Sequence, residues 1–180
     1  MGFLLDGKIK EKEFSSLFKN VKFSTKSEDV TEHWDVEIGF KIDVKSLKKI
    51  SRGDYDTNEN YHFIEIKNVN GKDGWLYGKA DFFAFELNEY WVLVDKTILQ
   101  KFIEENTSKT YVKSPDEALN CLYRRENRKD IITLVKTIDL IIMSTEIIKK
   151  QLINVKKHEV GDSVIMEKQL QKRVNQLLKK

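Results

Sequence analysis

The sequence predicts an α/β domain with a mixed central sheet flanked by helices, followed by a helical C-terminal extension. Three observations predict it. A helix-period run near the start switches to period-two alternation. Strand-like and helix-like segments then follow one another along the chain. No Pro- or Gly-rich linker divides it, the only proline being Pro115. The domain is expected over residues 1–143 and the extension over residues 144–180, packed on the domain or on a partner.

Ile9 to Val21 reads as an amphipathic helix, with Ile9, Phe14, Leu17, Phe18 and Val21 spaced three to five apart. Ser24 to Thr31 reads as a polar loop. Trp34, Val36 and Ile38 then alternate with His33, Asp35 and Glu37. After Gly39, the residues Phe40, Ile42 and Val44 alternate with Lys41, Asp43 and Lys45. These runs predict a β-hairpin with one apolar and one charged face. A polar loop from Ser51 to Asn60 leads to a third strand, Tyr61–Lys67. Trp75 to Leu87 fits helix or strand. The continuous apolar run Tyr90–Val94 suggests a strand buried on both faces. Asp95 caps a helix to about Glu105. Ser114-Pro115-Asp116-Glu117 has the form of a capping box and predicts a helix to about Arg125. Ile131 to Val135 is β-like, and the chain reads as helical after Ser144.

Composition narrows the function. Lysine and arginine number 32 against 29 acids, so the formal net charge of +3 does not by itself call for nucleic acid. The single cysteine, Cys121, can form no internal disulfide and is expected in the core; it fits a reducing compartment. His33, His62 and His158 are too scattered for a zinc set. No apolar run reaches the ~18 residues that a membrane helix needs. A cytoplasmic protein with no membrane partner is the expectation.

The charged face of the hairpin carries the chemistry. Residues two apart on a strand share a face, so Asp43 and Lys45 project side by side. With Gly39 at the turn, Asp35 lies roughly opposite Asp43. Opposed carboxylates repel, and a divalent cation relieves the repulsion; Mg²⁺ is commonly held by one or two carboxylates with water and substrate phosphate. A lysine beside them can orient water and stabilise charge on a phosphate. The pattern recurs at Glu65 and Lys67, so Lys45 and Lys67 compete for the catalytic role, with Asp43 common to both readings. The bland alternative is a solvated strand face with cross-strand ion pairs.

Taken in order, these residues resemble the PD-(D/E)XK nuclease superfamily, which includes restriction enzymes and Holliday-junction resolvases. The resemblance covers roughly residues 9–105. It rests on the first helix around Glu13, then Asp35, then Asp43-Val44-Lys45, then the Trp75–Leu87 segment and the Tyr90–Val94 strand. Glu32-His33-Trp34-Asp35 and Gly74-Trp75-Leu76-Tyr77-Gly78-Lys79-Ala80-Asp81 also look like uncharacterised phage-type members. The resemblance implies a restriction-endonuclease-like core and a Mg²⁺-dependent endonuclease acting on DNA, with Mn²⁺ as a substitute. It implies that Asp35, Asp43 and the Val44 carbonyl bind metal, that Lys45 holds the attacking water, and that Glu13 adds an acid. One departure is that Trp34 stands where the family usually has proline.

Further candidates for nucleic-acid contact are the basic run Lys48, Lys49 and Arg52, a second run Arg124, Arg125, Arg128 and Lys129, and the glycine-rich stretch bearing Lys72, Trp75, Tyr77 and Lys79. Phosphate contacts and base stacking are the physical reasons. The stretch is no Walker loop. Asp81 and Glu86 have no spacing argument. Val164–Lys180 has the spacing for a partner helix, and a homodimer is expected by analogy with symmetric resolvases. The alternative to an endonuclease is a nuclease-like fold that only binds nucleic acid or a protein.

Overall fold

The structure, a computed structural model, describes residues 2–49 and 56–150, with side chains from residue 7 onward. Arg52 and the Val164–Lys180 segment lie outside the described residues, as does most of the expected C-terminal extension.

The described chain is an α/β fold with two mixed sheets. Helix α1 (Gly2–Ser15) is followed by strand β1 (Lys22–Phe23), helix α2 (Lys26–Glu32), β2 (Val36–Glu37) and β3 (Lys41–Lys45). Next come β4 (Tyr61–Lys67), a 3₁₀ turn at Trp75–Tyr77, β5 (Phe82–Glu86), β6 (Tyr90–Asp95) and α3 (Lys96–Asn106). The remainder is β7 (Tyr111–Val112), a 3₁₀ turn at Pro115–Glu117, β8 (Leu122–Tyr123), β9 (Ile131–Lys136), α4 (Thr137–Met143) and β10 (Glu146–Lys149). One sheet runs β1-β2-β3-β5-β6-β10, and the other runs β4-β9-β8-β7. In the larger sheet β3 and β5 are parallel and the other neighbours antiparallel.

The two faces of the larger sheet build two cores. Phe14 of α1 packs with Val36, Ile42, Ala84 and Trp91 on one face. On the other, Phe83, Phe85, Val92 and Val94 pack with Ile64 of β4, Val135 of β9, Leu99 and Ile103 of α3, and Leu140 of α4. The apolar runs in β5 and β6 reflect burial on both faces.

Several sequence expectations are corrected. Helix α1 ends at Ser15 and does not reach Val21. Ser15 and Ser16 turn their hydroxyls back onto the carbonyls of Lys12 (2.9 Å) and Glu13 (2.7 Å), and Asn20 takes a left-handed conformation at φ 58. The expected loop at Ser24–Thr31 contains α2, because Thr25 and Glu28 form a reciprocal capping box. Ser114-Pro115-Asp116-Glu117 opens only a single turn: the Ser114 hydroxyl is bonded to Asp116, and Ala118 binds back onto β9. Cys121 is half-buried and free. Residues 146–149 form a strand on β6, so the compact unit runs to Lys150 and the helical reading from Ser144 fails there. The strand at Tyr61–Lys67 forms, but it pairs with β9 in the second sheet. Among the described residues no helix is long and apolar enough to cross a membrane.

Candidate functional site

The site begins with the hairpin. Gly39 turns the chain at φ 91, and Val36 pairs with Ile42 and Glu37 with Lys41. Continuing that register sets Asp35 across from Asp43. Ile42 and Val44 face α1, so Asp43 and Lys45 point to the other side. There they stand in register with Phe83 and Phe85 of β5. The charged face is therefore not solvated; it points into the layer closed by the second sheet. Asp35 and Asp43 are 7% and 4% exposed.

Their contacts explain their electrostatics. Asp35 Oδ2 accepts the Val44 N–H at 2.7 Å. Burial still pushes the Asp35 carboxyl above its ordinary range, against that hydrogen bond and the Lys45 charge. Asp43 is pushed up to about 8, first by burial, with Asp35 adding and Lys45 opposing. Lys45 Nζ lies 2.6 Å from Asp43 Oδ2. That contact lacks the angles of a hydrogen bond, so Oδ2 remains a buried acceptor with no hydrogen-bond partner among the described residues. A buried carboxylate held by a single ammonium beside a second carboxylate is a donor set that suits a hard divalent cation completed by water and phosphate. Among the described residues no group of three or more His, Cys, Asp or Glu side chains could hold a metal ion.

On α1 the carboxylate coupled to Asp35 is Glu11, which the sequence reading did not single out. Two residues along a helix are about 200° apart, so Glu11 and Glu13 face different neighbours. Glu11 is buried and held by Lys8 at 2.8 Å. Glu13 is engaged by Lys10 at 3.1 Å and Lys150 at 3.5 Å. The helical period places Glu11 with buried Phe14 and Ser15, a signal present in the sequence.

A cleft of about 190 Å³ opens beside Lys45. It is lined by Lys45, Ser46 and Lys48 from β3 and its exit, by Tyr61, His62, Phe63 and Glu65 from β4, and by Trp75. Lys45 Nζ sits 4.2 Å from the Trp75 ring centroid, and Trp75 packs against Phe83 at 4.8 Å. Lys48 is exposed at the cleft, yet the packing around its ammonium and then the Lys45 charge lower its pKa, while Asp43 and Glu65 oppose. His62 is pulled down to about 4 by burial. Just beyond Lys45, buried Glu86 accepts the Leu47 N–H at 3.0 Å and contacts Lys10 and Lys150 at 2.6 Å each. Burial works to raise its pKa, but the two lysines outweigh it and hold it low.

The cleft thus gathers Lys45, Lys48, Glu65 and Trp75. It does not gather Lys67, which lies where the β4–β9 register shifts. Gly74 is needed for packing, since a Cβ there would lie 2.3 Å from the Glu65 carbonyl oxygen. Tyr77 is exposed, Lys79 pairs with Glu32 at 3.0 Å, and Lys72 lies exposed in the preceding turn. Lys49, next to Lys48, is exposed. Asp81 accepts the Lys41 N–H at 2.8 Å, at the other end of β3.

Comparison of the chain with protein-family models, curated proteins and solved structures finds no match.

Proposed function

We propose that this protein is a Mg²⁺-dependent endonuclease with a restriction-endonuclease-like core, hydrolysing phosphodiester bonds in DNA. The observation that carries this reading is the pair of buried carboxylates, Asp35 and Asp43, set across a hairpin with the Lys45 ammonium 2.6 Å from Asp43. A protein gains nothing in stability by burying two acids together, so the arrangement points to a ligand. Asp35 and Asp43 would hold the divalent cation, which when bound supplies Lewis-acid stabilisation of phosphate charge. Lys45, fixed between Asp43 and the Trp75 ring, orients the attacking water and meets the negative charge that develops on the phosphate. Lys48 adds a second cation at the cleft, and Glu65 a carboxylate.

The test is cleavage of supercoiled plasmid, branched DNA and single-stranded DNA with Mg²⁺, Mn²⁺ or EDTA. Metal-dependent cutting is expected, lost in Asp43→Asn and reduced roughly a hundredfold in Lys45→Ala. Lys67→Ala should cut like the parent. Cutting that survives Asp43→Asn, or that needs Lys67 and not Lys45, overturns the assignment.

A non-cutting binding module is the second reading. The Lys45–Asp43 ion pair favours it, because an internal cation already neutralises the buried acid. It predicts metal-independent, salt-sensitive binding without cutting.

A further inference from the structure

We infer that the β7–β8–β9 end of the second sheet is a binding surface for an unpaired strand of nucleic acid, running into the cleft past Lys48. This rests on the proposed function and names the substrate class of the same site.

The β8–β9 turn carries Arg124, Arg125, Arg128 and Lys129 against two acids, Glu126 and the buried Asp130. The excess is two charges within one short turn, against a formal net charge of +3 for the whole chain. The charge balance of the protein is therefore even overall and strongly uneven here. Among the described residues, Arg124, Arg128 and Lys129 make no ion pair. The turn is also held in place. Arg125 is anchored to the fully buried Asp130 at 2.5 Å. The Lys129 N–H reaches the Val69 carbonyl at 3.4 Å, so this turn lies against the one that carries Lys72. Tyr123 of β8 pairs with Ile132 of β9, and Ile132 pairs with Glu65, which lines the cleft, so the basic turn and the cleft wall belong to one sheet.

The aromatic partner decides the form of the nucleic acid. Tyr111 of β7 is 50% exposed, and the Arg124 guanidinium lies 5.3 Å from its ring centroid. A large exposed ring already aligned with a cation is a platform for a base that has left its helix. A continuous duplex keeps its bases stacked on one another and offers only phosphates to such a surface. A single strand offers both. The cleft repeats the combination, with Tyr61, Phe63 and Trp75 beside Lys45 and Lys48.

The experiment is fluorescence anisotropy of a labelled single-stranded 20-mer and its matched duplex, with the full chain in EDTA across a salt series. The parent should bind the single strand more tightly than the duplex. Arg124→Ala/Arg128→Ala should weaken single-strand binding about tenfold or more, and should flatten the log–log salt slope by about 0.7 for each phosphate no longer neutralised. Tyr111→Leu should lose about tenfold on the single strand while leaving duplex binding alone, and Tyr111→Phe should retain binding. Thermal unfolding confirms that each variant is folded, and Arg125 is left intact because it neutralises Asp130. Unchanged single-strand binding in the variants, equal losses on both forms for Tyr111→Leu, or no binding by the parent overturns the inference. Binding is read without metal, so the outcomes separate. Cutting with unaltered binding in the variants defeats the surface and spares the nuclease. Variant-sensitive binding with no cutting does the reverse.

Discussion

Replacing Asp43 by Asn removes one charge from the crowded pair while keeping the shape of the side chain. Its effect on the metal-free protein follows from the environment. Burial, with Asp35 nearby, raises the Asp43 carboxyl to about 8 against the pull of Lys45. A raised folded-state pKa means that the folded protein keeps a proton the unfolded chain has released. Stability is therefore lost as pH rises from about 4 to about 8. Four units at ~1.4 kcal/mol each bound the loss at roughly 6 kcal/mol. The asparagine does not titrate and escapes that loss, in which the pull of Lys45 is already included. The variant should thus gain on the parent by up to roughly 6 kcal/mol between pH 4 and pH 8, starting from near-equality at pH 4, where both side chains are neutral in the folded protein. Urea unfolding in EDTA at pH 4, 6 and 8 measures this. Adding Mg²⁺ at ten times its Kd should then stabilise the parent by about 1.4 kcal/mol and leave the variant where it was. A variant less stable than the parent at pH 8, or a gap independent of pH, would refute the buried-carboxylate reasoning. Equal Mg²⁺ stabilisation of both proteins would refute the assignment of the cation to this pair.

Two other perturbations test the walls of the site. His62 is held down to about 4, so protonation of the unfolded chain should cost stability as pH falls from about 6.5 to about 4; His62→Gln should flatten that part of the urea profile. Gly74→Ala places a methyl group 2.3 Å from the Glu65 carbonyl oxygen, and should cost about 2 kcal/mol in urea unfolding while lowering cleavage by displacing Trp75. Unchanged stability in Gly74→Ala would show that the turn can move away from β4 freely.

Much of the hairpin was legible because its information is local. Alternation and Gly39 define which residues share a face, and that alone sets Asp43 beside Lys45 and across from Asp35. The Asp95 cap is local too, with Oδ1 accepting the N–H groups of Thr97 at 2.7 Å and Ile98 at 3.1 Å. Capping patterns nonetheless misled in one place and were informative in another. Thr25 and Glu28 open a helix, whereas Ser114 to Glu117 do not, because the following residues gain more by binding to β9. A local signal loses wherever a distant partner offers the backbone a better set of hydrogen bonds.

The same reasoning separates Lys45 from Lys67. Both follow an acid by two residues, and side-chain period alone does not distinguish their strands. What separates them is pairing. Parallel pairing with β5 sets Asp43 and Lys45 on one buried face and Lys45 at the cleft, while Lys67 lies beyond the cleft, where the pairing with β9 shifts register. Likewise Glu146–Lys149 is a strand because the edge of β6 is open to it. The order of residues along the chain was enough to define the α/β class, the hairpin and the acid–lysine pair, since each depends on side-chain period. Which sheet a strand joins, which face is buried and which lysine stands at the cleft depended on contacts between residues far apart in sequence, and period carries no record of those.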